Sequence, residues 1–205
     1  ENPPDWKELR PAQKEALDLF KMPENKRSIF VLPCGAGKTL ISALASFQNG
    51  SNSFIVTVST ETVKQSVKAI LANTTIPNNR IIAFTSDNKA AASLTSLTAP
   101  VEDGVMVIAP YDMLSKTGSR SMHANTMLSW IKMIRWDVIV LDEGHLVPAR
   151  TYKSMATNLL GITDDNSHIR VLLLTGTLYR ETIKNPEESS GKRKLKDSSS
   201  PEEED

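Results

Sequence analysis

The sequence predicts an α/β domain with a mostly parallel sheet covered by helices on both faces. Short runs rich in Val, Ile, Leu and Phe recur along the chain, at residues 28–32, 54–58, 80–84, 105–109, 137–141 and 170–174. Each run is about five residues long, which is typical of a strand buried on both faces. Helical stretches separate the runs, and this alternation of strand and helix favours parallel pairing.

The predicted helices cover residues 12–20, 39–47, 62–72, 122–134 and 151–160. The first one starts beside Pro11, and proline suits the first helical turn because its missing N–H is not needed there. We expect one ordered domain over residues 1–183 and a disordered charged tail over residues 184–205. The tail consists mainly of Pro, Glu, Ser, Lys and Asp, so it has too little apolar surface to offset the entropy of ordering.

Composition narrows the possible classes of protein. The 205 residues suffice for one core, and the formal net charge is zero, so total charge neither supports nor excludes nucleic-acid binding. Cys34 is the single cysteine, which rules out an intramolecular disulfide and fits a reducing compartment. No apolar run reaches the roughly 18 residues of a membrane span, so we expect no membrane partner.

A phosphate-binding loop follows the first predicted strand, in the segment Leu32-Pro33-Cys34-Gly35-Ala36-Gly37-Lys38-Thr39. Glycines let several backbone N–H groups point at one spot, and the start of the next helix adds partial positive charge. We expect Lys38 to reach the β and γ phosphates of ATP and the Thr39 hydroxyl to ligate Mg²⁺. The alternative is a turn that only caps a helix. Cys34 is interpreted as a space-filling residue, with a tuned thiol as the alternative.

A pair of carboxylates follows the fifth predicted strand, in Asp142-Glu143-Gly144-His145. Ligands of parallel sheets collect at the carboxyl ends of strands. We expect Asp142 to hold Mg²⁺, mostly through water, and Glu143 to orient or deprotonate the attacking water. An acidic turn without a function is the alternative. His145 is interpreted as a link to Thr175-Gly176-Thr177 after the sixth strand, whose hydroxyls either couple nucleotide state to the carboxylates or cap a turn.

Taken in order, these motifs resemble helicase superfamily 2, and most closely the XPB-type helicases of transcription factor IIH. The resemblance runs from Leu9 to Glu181. Its segments are Leu9-Arg10-Pro11-x-Gln13, the phosphate loop with its Leu-Pro-Cys lead-in, Phe84-Thr85-Ser86-Asp87, Tyr111-x-Met113-Leu114, Trp136, Leu141-Asp142-Glu143-x-His145-x-x-Pro148-Ala149 and Leu174-Thr175-x-Thr177-Leu178-x-Arg180-Glu181. The resemblance implies a RecA-like P-loop NTPase domain, the first of two lobes, that uses ATP and Mg²⁺.

The resemblance also implies roles for residues outside the two central motifs. Gln13 stands where the family's adenine-sensing glutamine sits, with Arg10 beside it. The polar residues that the resemblance places against nucleic acid, some of which could instead be helix caps, are Thr60, Gln65, Thr85, Ser86 and Arg180. DNA rather than RNA is the expected partner, held mainly through its phosphates.

The implied function is that of an ATP-dependent DNA helicase or translocase motor lobe in transcription initiation and nucleotide excision repair, acting in the nucleus. The expected partners are subunits like those of transcription factor IIH and a second RecA-like lobe not in this chain. That lobe carries the arginine fingers, worth roughly 10³–10⁵ in turnover, so we expect slow hydrolysis by this lobe alone. A basic run at residues 192–196 is either a nuclear localisation signal or a solvated charge run.

The chain departs from the family pattern at several positions. Gly144 replaces Val, Gly176 replaces Ala, Ser66 replaces Trp, and Arg180-Glu181-Thr182 replaces an Arg-Glu-Asp triplet. Two alternatives therefore stay open. One is a Swi/Snf-type duplex translocase, of which Asp-Glu-Gly-His is typical. The other is a truncated module that binds nucleotide or docks a partner without helicase activity.

Overall fold

The computed structural model describes residues 9–46, 51–86, 104–115, 121–146, 153, 155–162 and 168–176. These ranges hold six strands, β1 to β6, which are Arg27–Val31, Ser53–Thr57, Ile81–Ala83, Met106–Pro110, Val138–Asp142 and Arg170–Thr175. They also hold five α-helices, α1 to α5, which are Pro11–Lys21, Lys38–Ser46, Thr60–Asn73, Tyr111–Ser115 and Met122–Met133. The strands form one sheet in the order β1-β6-β5-β2-β4-β3, with every pair parallel. The predicted α/β class and its six strands are confirmed, and each strand starts and ends within one residue of its predicted bounds.

Apolar side chains cover both faces of the sheet, in two clusters. On one face α1, α2 and α3 contribute Phe20, Ile41 and Val63, which pack with Ile55 of β2 and Val140 of β5. On the other face the helical side chains come mainly from α4 and α5, and they pack against the alternate residues of the same strands. Fully burying one such side chain contributes roughly 1.5–3 kcal/mol. The two clusters hold the strand ends in a fixed arrangement at each edge of the sheet.

The first strand is not buried on both faces, so this part of the prediction is wrong for β1. Ile29 is 59% exposed and Val31 43% exposed, whereas Phe30, on the opposite face, packs on the cluster with α1 to α3. The physical reason is position, since β1 lies at the end of the sheet and pairs with β6 alone. No element of the described ranges covers its second face.

The helices differ from prediction in two places. The helix α4 was not predicted, because it follows β4 without an intervening loop and its short run looks like part of a motif. Of the predicted helix over residues 151–160, residue 153 is α-helical and Met155–Leu159 form a π-helical turn. Residues 151, 152 and 154 lie outside the described residues, as do residue 47 and the charged tail. No helix of the described ranges is both long and apolar enough to cross a membrane.

Asn52 fixes the register at the amino edge of the sheet. Its side chain accepts a hydrogen bond from the N–H of Val105 at 3.1 Å and donates one to the carbonyl of Arg135 at 3.0 Å. Its own backbone N–H donates to Asp137 Oδ2 at 2.8 Å. Beside it the buried Trp136 donates to the carbonyl of Ile131 at 3.2 Å. These bonds tie β2 to the starts of β4 and β5, and so set where β5 ends at the opposite edge.

Candidate active site

The loop between β1 and α2 bends at two glycines. The N–H of Ala36 donates to the carbonyl of Pro33 at 3.2 Å, which closes a turn with Gly35 at φ 77°. Gly37 has φ 86°, a left-handed backbone conformation that residues other than glycine rarely adopt. Helix α2 starts directly afterwards at Lys38. The loop is therefore a preformed turn at a helix N-terminus, the setting in which backbone amides bind phosphate.

Two residues at the start of α1 hold this loop from behind. Gln13 donates through Nε2 to the carbonyl of Ala36 at 2.7 Å and accepts through Oε1 from the N–H of Arg10 at 3.0 Å. Arg10 donates through Nη1 to the carbonyl of Gly35 at 3.3 Å. Arg10 and Gln13, which the resemblance predicts to contact the nucleotide, thus lie against the phosphate loop.

The two central motifs meet in space although they are more than a hundred residues apart in the chain. Lys38 Nζ lies 2.8 Å from Glu143 Oε1, and both side chains are largely shielded from solvent. Lys38 also donates to the carbonyl of Leu32 at 3.3 Å. Thr39 follows in the first turn of α2. An ammonium and a carboxylate at this distance form a charge-assisted hydrogen bond, which holds the loop and the end of β5 together.

Glu143 is held on both carboxylate oxygens and in an unusual backbone conformation. Its Oε2 accepts from the N–H of Gly176 at 3.1 Å and lies 3.3 Å from His145 Nδ1. Partial burial alone would raise the pKa of Glu143, but the hydrogen bonds from Lys38 and Gly176 and the charge of Lys38 bring the pKa below its ordinary value. Glu143 has φ 49°, the single positive φ among non-glycine residues of the described ranges. Such strain concentrates at functional sites.

Asp142 lies at the last position of β5 and is mostly buried. Burial raises its pKa from 3.8 to about 6, the charge of Glu143 adds to the rise, and Lys38 opposes it. Its Oδ1 is buried and has no hydrogen-bond partner. An unpartnered buried carboxylate oxygen is costly unless a cation occupies the site, so Asp142 fits a Mg²⁺ ligand.

The metal would be held by few protein groups. No three His, Cys, Asp or Glu side chains of the described residues gather into a metal-binding group. Mg²⁺ keeps several waters and is commonly held by one or two carboxylates together with the phosphates of its substrate. Asp142 offers one carboxylate for such a site, and Thr39, at the second position of α2, carries the hydroxyl that the sequence predicts as the other ligand.

His145 and Thr175 are in direct contact. Thr175 Oγ1 lies 2.7 Å from His145 Nδ1, which connects the turn after β5 to the end of β6. The pair stands next to Glu143 through the 3.3 Å contact of the same imidazole nitrogen. Thr177, predicted to share this role, lies outside the described residues.

The two glycines that depart from the family pattern have different surroundings. A Cβ on Gly144 would collide with Cδ1 of Leu173, so the larger residue usual in the family requires another position of the Leu173 side chain. A Cβ on Gly176 would lie 3.3 Å from Lys38 Nζ, which is held by Glu143 and by the carbonyl of Leu32. A side chain at Gly176 would therefore press on the ammonium of the site, whereas one at Gly144 would press on Leu173.

Several residues predicted to contact nucleic acid follow the carboxyl ends of β2 and β3. These strand ends share one edge of the sheet, because the strands are parallel. Thr60 begins α3 just after β2, but the helix is capped by Ser59, whose Oγ accepts from the N–H of Thr62. Ser86, after β3, is exposed and Thr85 beside it is buried. Gln65 is exposed further along α3. Arg180 lies outside the described residues.

Sequence reasoning missed the backbone groups of the site. The carbonyl of Leu32 accepts from Lys38 and the N–H of Gly176 donates to Glu143, and backbone groups leave no signal in a sequence. The interpretation of Cys34 as a space-filling residue is wrong, because the free thiol is exposed on the loop. Within the part of the chain that the structure describes, the loop leaves Cys34 exposed, and its place inside the motif does not reveal this.

Comparison with known proteins supports the predicted resemblance. The chain is 34% identical over 173 residues to the general transcription and DNA repair factor IIH helicase/translocase subunit XPB of Enterocytozoon bieneusi, a match that covers 83% of this chain and 27% of the relative. It is 32% identical over 177 residues to the subunit of the same name from Danio rerio, covering 86% of this chain and 21% of the relative. The chain spans about a quarter or less of the length of these curated relatives. The predicted resemblance to XPB-type helicases is confirmed.

Solved structures show the same fold at low sequence identity. The UvsW helicase of bacteriophage T4 superposes with a TM-score of 0.60 at 17% identity, over 85% of this chain and 55% of that one. The Hef helicase domain of Pyrococcus furiosus gives a TM-score of 0.61 at 21% identity, over 84% of this chain and 34% of that one. The predicted RecA-like fold is confirmed. Residues 7–180 match the family model described as Type III restriction enzyme, res subunit, and the chain belongs to that family.

Proposed function

We propose that this chain is the nucleotide-binding motor lobe of an ATP-dependent DNA helicase or translocase of XPB type. The observation that carries the proposal is the 2.8 Å contact between Lys38 Nζ and Glu143 Oε1. The contact joins a helix-starting loop suited to phosphates with a carboxylate pair suited to a metal and to water. Catalysis of phosphoryl transfer consists mainly of positioning the reactants and stabilising charge. The loop and the carboxylate pair are suited to these two tasks.

In the proposed reaction the loop residues from Pro33 to Thr39 hold the phosphates, and Lys38 exchanges Glu143 for the β and γ phosphates of ATP. Asp142 and the Thr39 hydroxyl hold Mg²⁺, which when bound neutralises the charge that develops on the phosphates. The exchange frees Oε1 of Glu143. Glu143 then orients the attacking water and accepts its proton, while Oε2 stays on the N–H of Gly176 and so fixes the carboxylate.

The pair of His145 and Thr175 is proposed to transmit the state of the nucleotide. The imidazole of His145 contacts both Glu143 and Thr175, so movement of Glu143 on nucleotide binding changes the contacts of the residue that ends β6. Hydrogen-bond networks with two discrete arrangements carry coupling between sites, and we propose that nucleotide binding gives this pair a second one. Thr177 and Arg180 follow in the chain and are proposed to extend this path toward the nucleic acid.

The proposed nucleic acid is DNA, bound along the carboxyl edge of the sheet and held through its phosphates. The relatives are named as subunits of a transcription and DNA repair factor, which supports DNA over RNA. Thr60, Gln65 and Ser86 have accessible surface for such contacts, and the burial of Thr85 leaves it a small part. On the same names, we propose that the whole protein acts in the nucleus, in transcription initiation and nucleotide excision repair. Its proposed partners are subunits like those of transcription factor IIH and a second RecA-like lobe.

Hydrolysis of ATP by the chain tests the proposal. We expect slow hydrolysis that requires Mg²⁺ and rises when duplex DNA is added, measured as phosphate release by wild type, Lys38→Ala and Glu143→Gln. Glu143→Gln should keep nucleotide binding and lose on the order of 10²–10⁴ in rate, the usual contribution of a positioned general base. Lys38→Ala should lose both binding and hydrolysis. Equal rates for all three proteins would refute the proposal, because the measured hydrolysis would then depend on neither Lys38 nor Glu143.

A further inference from the structure

A cavity of about 250 Å³ opens at the amino edge of the sheet. Its walls come from the end of α5, from the π-helical turn at Met155–Leu159 and from the residues that precede β5 and β6. The candidate active site lies at the carboxyl edge, and the five residues of β5 separate the two by roughly 16 Å at the usual rise of a strand. The cavity is therefore a separate place in the fold that the proposed hydrolysis of ATP does not use.

The floor of the cavity is apolar. Trp136, Leu160 and Ile169 line it, and all three belong to the buried cluster on the face of the sheet that α4 and α5 cover. The indole N–H of Trp136 donates to the carbonyl of Ile131, which fixes the ring. The cavity is smaller than the roughly 300–1,000 Å³ typical of pockets for drug-sized ligands, so it suits one large apolar side chain rather than a cofactor.

The rim of the cavity carries positive charge. Lys132 and Arg135 are exposed, and neither forms an ion pair with another described residue. His168, also exposed, adds an imidazole with an N–H donor. Among the described residues that line the cavity, none is acidic. Asp137, two residues after Arg135, is bound to the N–H of Asn52 at 2.8 Å. The described part of the rim therefore attracts negatively charged groups.

The π-helical turn forms the remaining wall. The N–H of Leu160 donates to the carbonyl of Met155 at 3.1 Å, and Met155 and Leu159 are buried in the core. Thr157 and Asn158, between them, are exposed and line the cavity. Turns of this kind are rare and often lie at functional sites. Here the turn places a hydroxyl and an amide beside the two cations, and both groups can bond to a carboxylate or to a peptide backbone.

We infer that this cavity binds an acidic segment of a partner protein that carries one large apolar side chain. The apolar side chain enters the cavity over Trp136, and carboxylates beside it contact Lys132 and Arg135. Burial of the side chain supplies affinity, and the charges supply orientation and speed of association. A peptide fits these walls better than nucleic acid does. Trp136 is only 2% exposed, so it presents no ring face on which a base could stack.

The test measures binding of fluorescently labelled probes to the chain of residues 1–205 by anisotropy. The main probe is a capped peptide of sequence EEDFEDE. The peptide EEDAEDE lacks the apolar side chain, and KKKFKKK reverses the charge. Two further probes represent other occupants, namely a short single-stranded oligo-dT and the peptide SSSPEEED, which is the acidic run at residues 198–205 of this chain.

The protein variants separate charge from shape. Lys132→Glu combined with Arg135→Glu reverses the charge of the rim, and Thr157→Trp fills the cavity from an exposed position. Lys68→Glu is the matched control, because it makes the same change at an exposed position of α3 that does not line the cavity. Thermal unfolding of each protein reports the fold. Hydrolysis of ATP should stay at the wild-type rate in all of them, since the cavity lies at the other edge of the sheet.

We expect EEDFEDE to bind wild type and Lys68→Glu with equal affinity. EEDAEDE should bind wild type at least about tenfold more weakly, because no large apolar side chain fills the cavity. The rim variant should lose at least about tenfold in affinity for EEDFEDE, because like charges then face each other. Thr157→Trp should lose a similar factor, and KKKFKKK should bind wild type at least about tenfold more weakly than EEDFEDE does.

Asp164 and Asp165 precede the last wall of the cavity in the chain and lie outside the described residues. A variant with Asp164→Asn and Asp165→Asn therefore completes the set. We expect it to bind EEDFEDE within about threefold of wild type, the effect of nearby charges that are exposed to solvent.

Several results would overturn the inference. EEDFEDE that does not bind wild type at millimolar concentration, or binds no better than EEDAEDE, shows that the cavity takes no such segment. Wild-type affinity in the rim variant or in Thr157→Trp places the binding elsewhere. Tighter binding of oligo-dT that is lost in the rim variant shows a nucleic-acid surface. Tighter binding of SSSPEEED, or binding of EEDFEDE only after Asp164 and Asp165 are replaced, shows that acidic residues of this chain occupy the rim.

Discussion

Replacing Asp142 by Asn should stabilise the nucleotide-free protein while abolishing its activity. The pKa of Asp142 is raised from 3.8 to about 6, chiefly by burial. The folded state therefore binds more protons than the unfolded state between these values, and the free energy of unfolding falls as pH rises through that window. At 1.36 kcal/mol per pKa unit, the ionised carboxylate costs the fold about 3 kcal/mol above pH 7. Asn has nearly the same shape and no charge, so it removes this cost.

The assay is urea unfolding of wild type and Asp142→Asn at several pH values without Mg²⁺ or nucleotide. The variant should be more stable by about 2–3 kcal/mol at pH 7.5 and by about 0.5 kcal/mol at pH 4, where the wild-type carboxylate is protonated in the folded state. The same variant should bind Mg²⁺ with ATP more weakly and lose hydrolysis, a trade between stability and activity that is common at functional sites. A variant less stable than wild type at pH 7.5, or a difference that does not change with pH, would refute the reasoning.

Three further changes test other parts of the structure. Thr175→Val removes the 2.7 Å bond to His145 and should leave ATP binding within about twofold while the stimulation of hydrolysis by DNA falls; unchanged stimulation would show that the pair does not couple the two ligands. Gly144→Val should cost about 1–3 kcal/mol in unfolding free energy by its collision with Leu173, and the cost should shrink in a Leu173→Ala background; equal costs in both backgrounds would place the strain elsewhere. Asn52→Ala should lower the unfolding free energy by about 1–3 kcal/mol, because the N–H of Val105 loses its acceptor, and a loss well below this range in urea unfolding would contradict the assigned role.

Much of the fold follows from sequence because strands in a parallel sheet leave a strong local signal. A short apolar run between helices is enough to place β2, β4 and β5, whose residues are buried on both faces. The order of the strands leaves no such signal. For this reason the exposure of Ile29 on β1 was not predicted, since it depends on β1 lying at an edge.

The candidate site was predictable where chemistry depends on side chains, and not where it depends on backbone or packing. Lys38 and Glu143 could be named from their motifs, and the shared edge of parallel strand ends explains why they meet. The hydrogen bond from Gln13 to the carbonyl of Ala36 was not predictable, because it joins a helix start to the backbone of a loop more than twenty residues away. The fit between Gly144 and Leu173 likewise depends on how β6 packs under the turn after β5.

Calorimetric titration of the chain with ATP, with and without Mg²⁺, tests the central claim most directly when wild type is compared with Lys38→Ala. If the ammonium beside Glu143 belongs to a magnesium–nucleotide site, wild type binds ATP only weakly without Mg²⁺ and more tightly with it. Lys38→Ala should then lose on the order of 10- to 100-fold in affinity, the usual contribution of a hydrogen bond to a charged group. Equal affinities for the two proteins, or no heat of binding for wild type at millimolar nucleotide, would contradict the account.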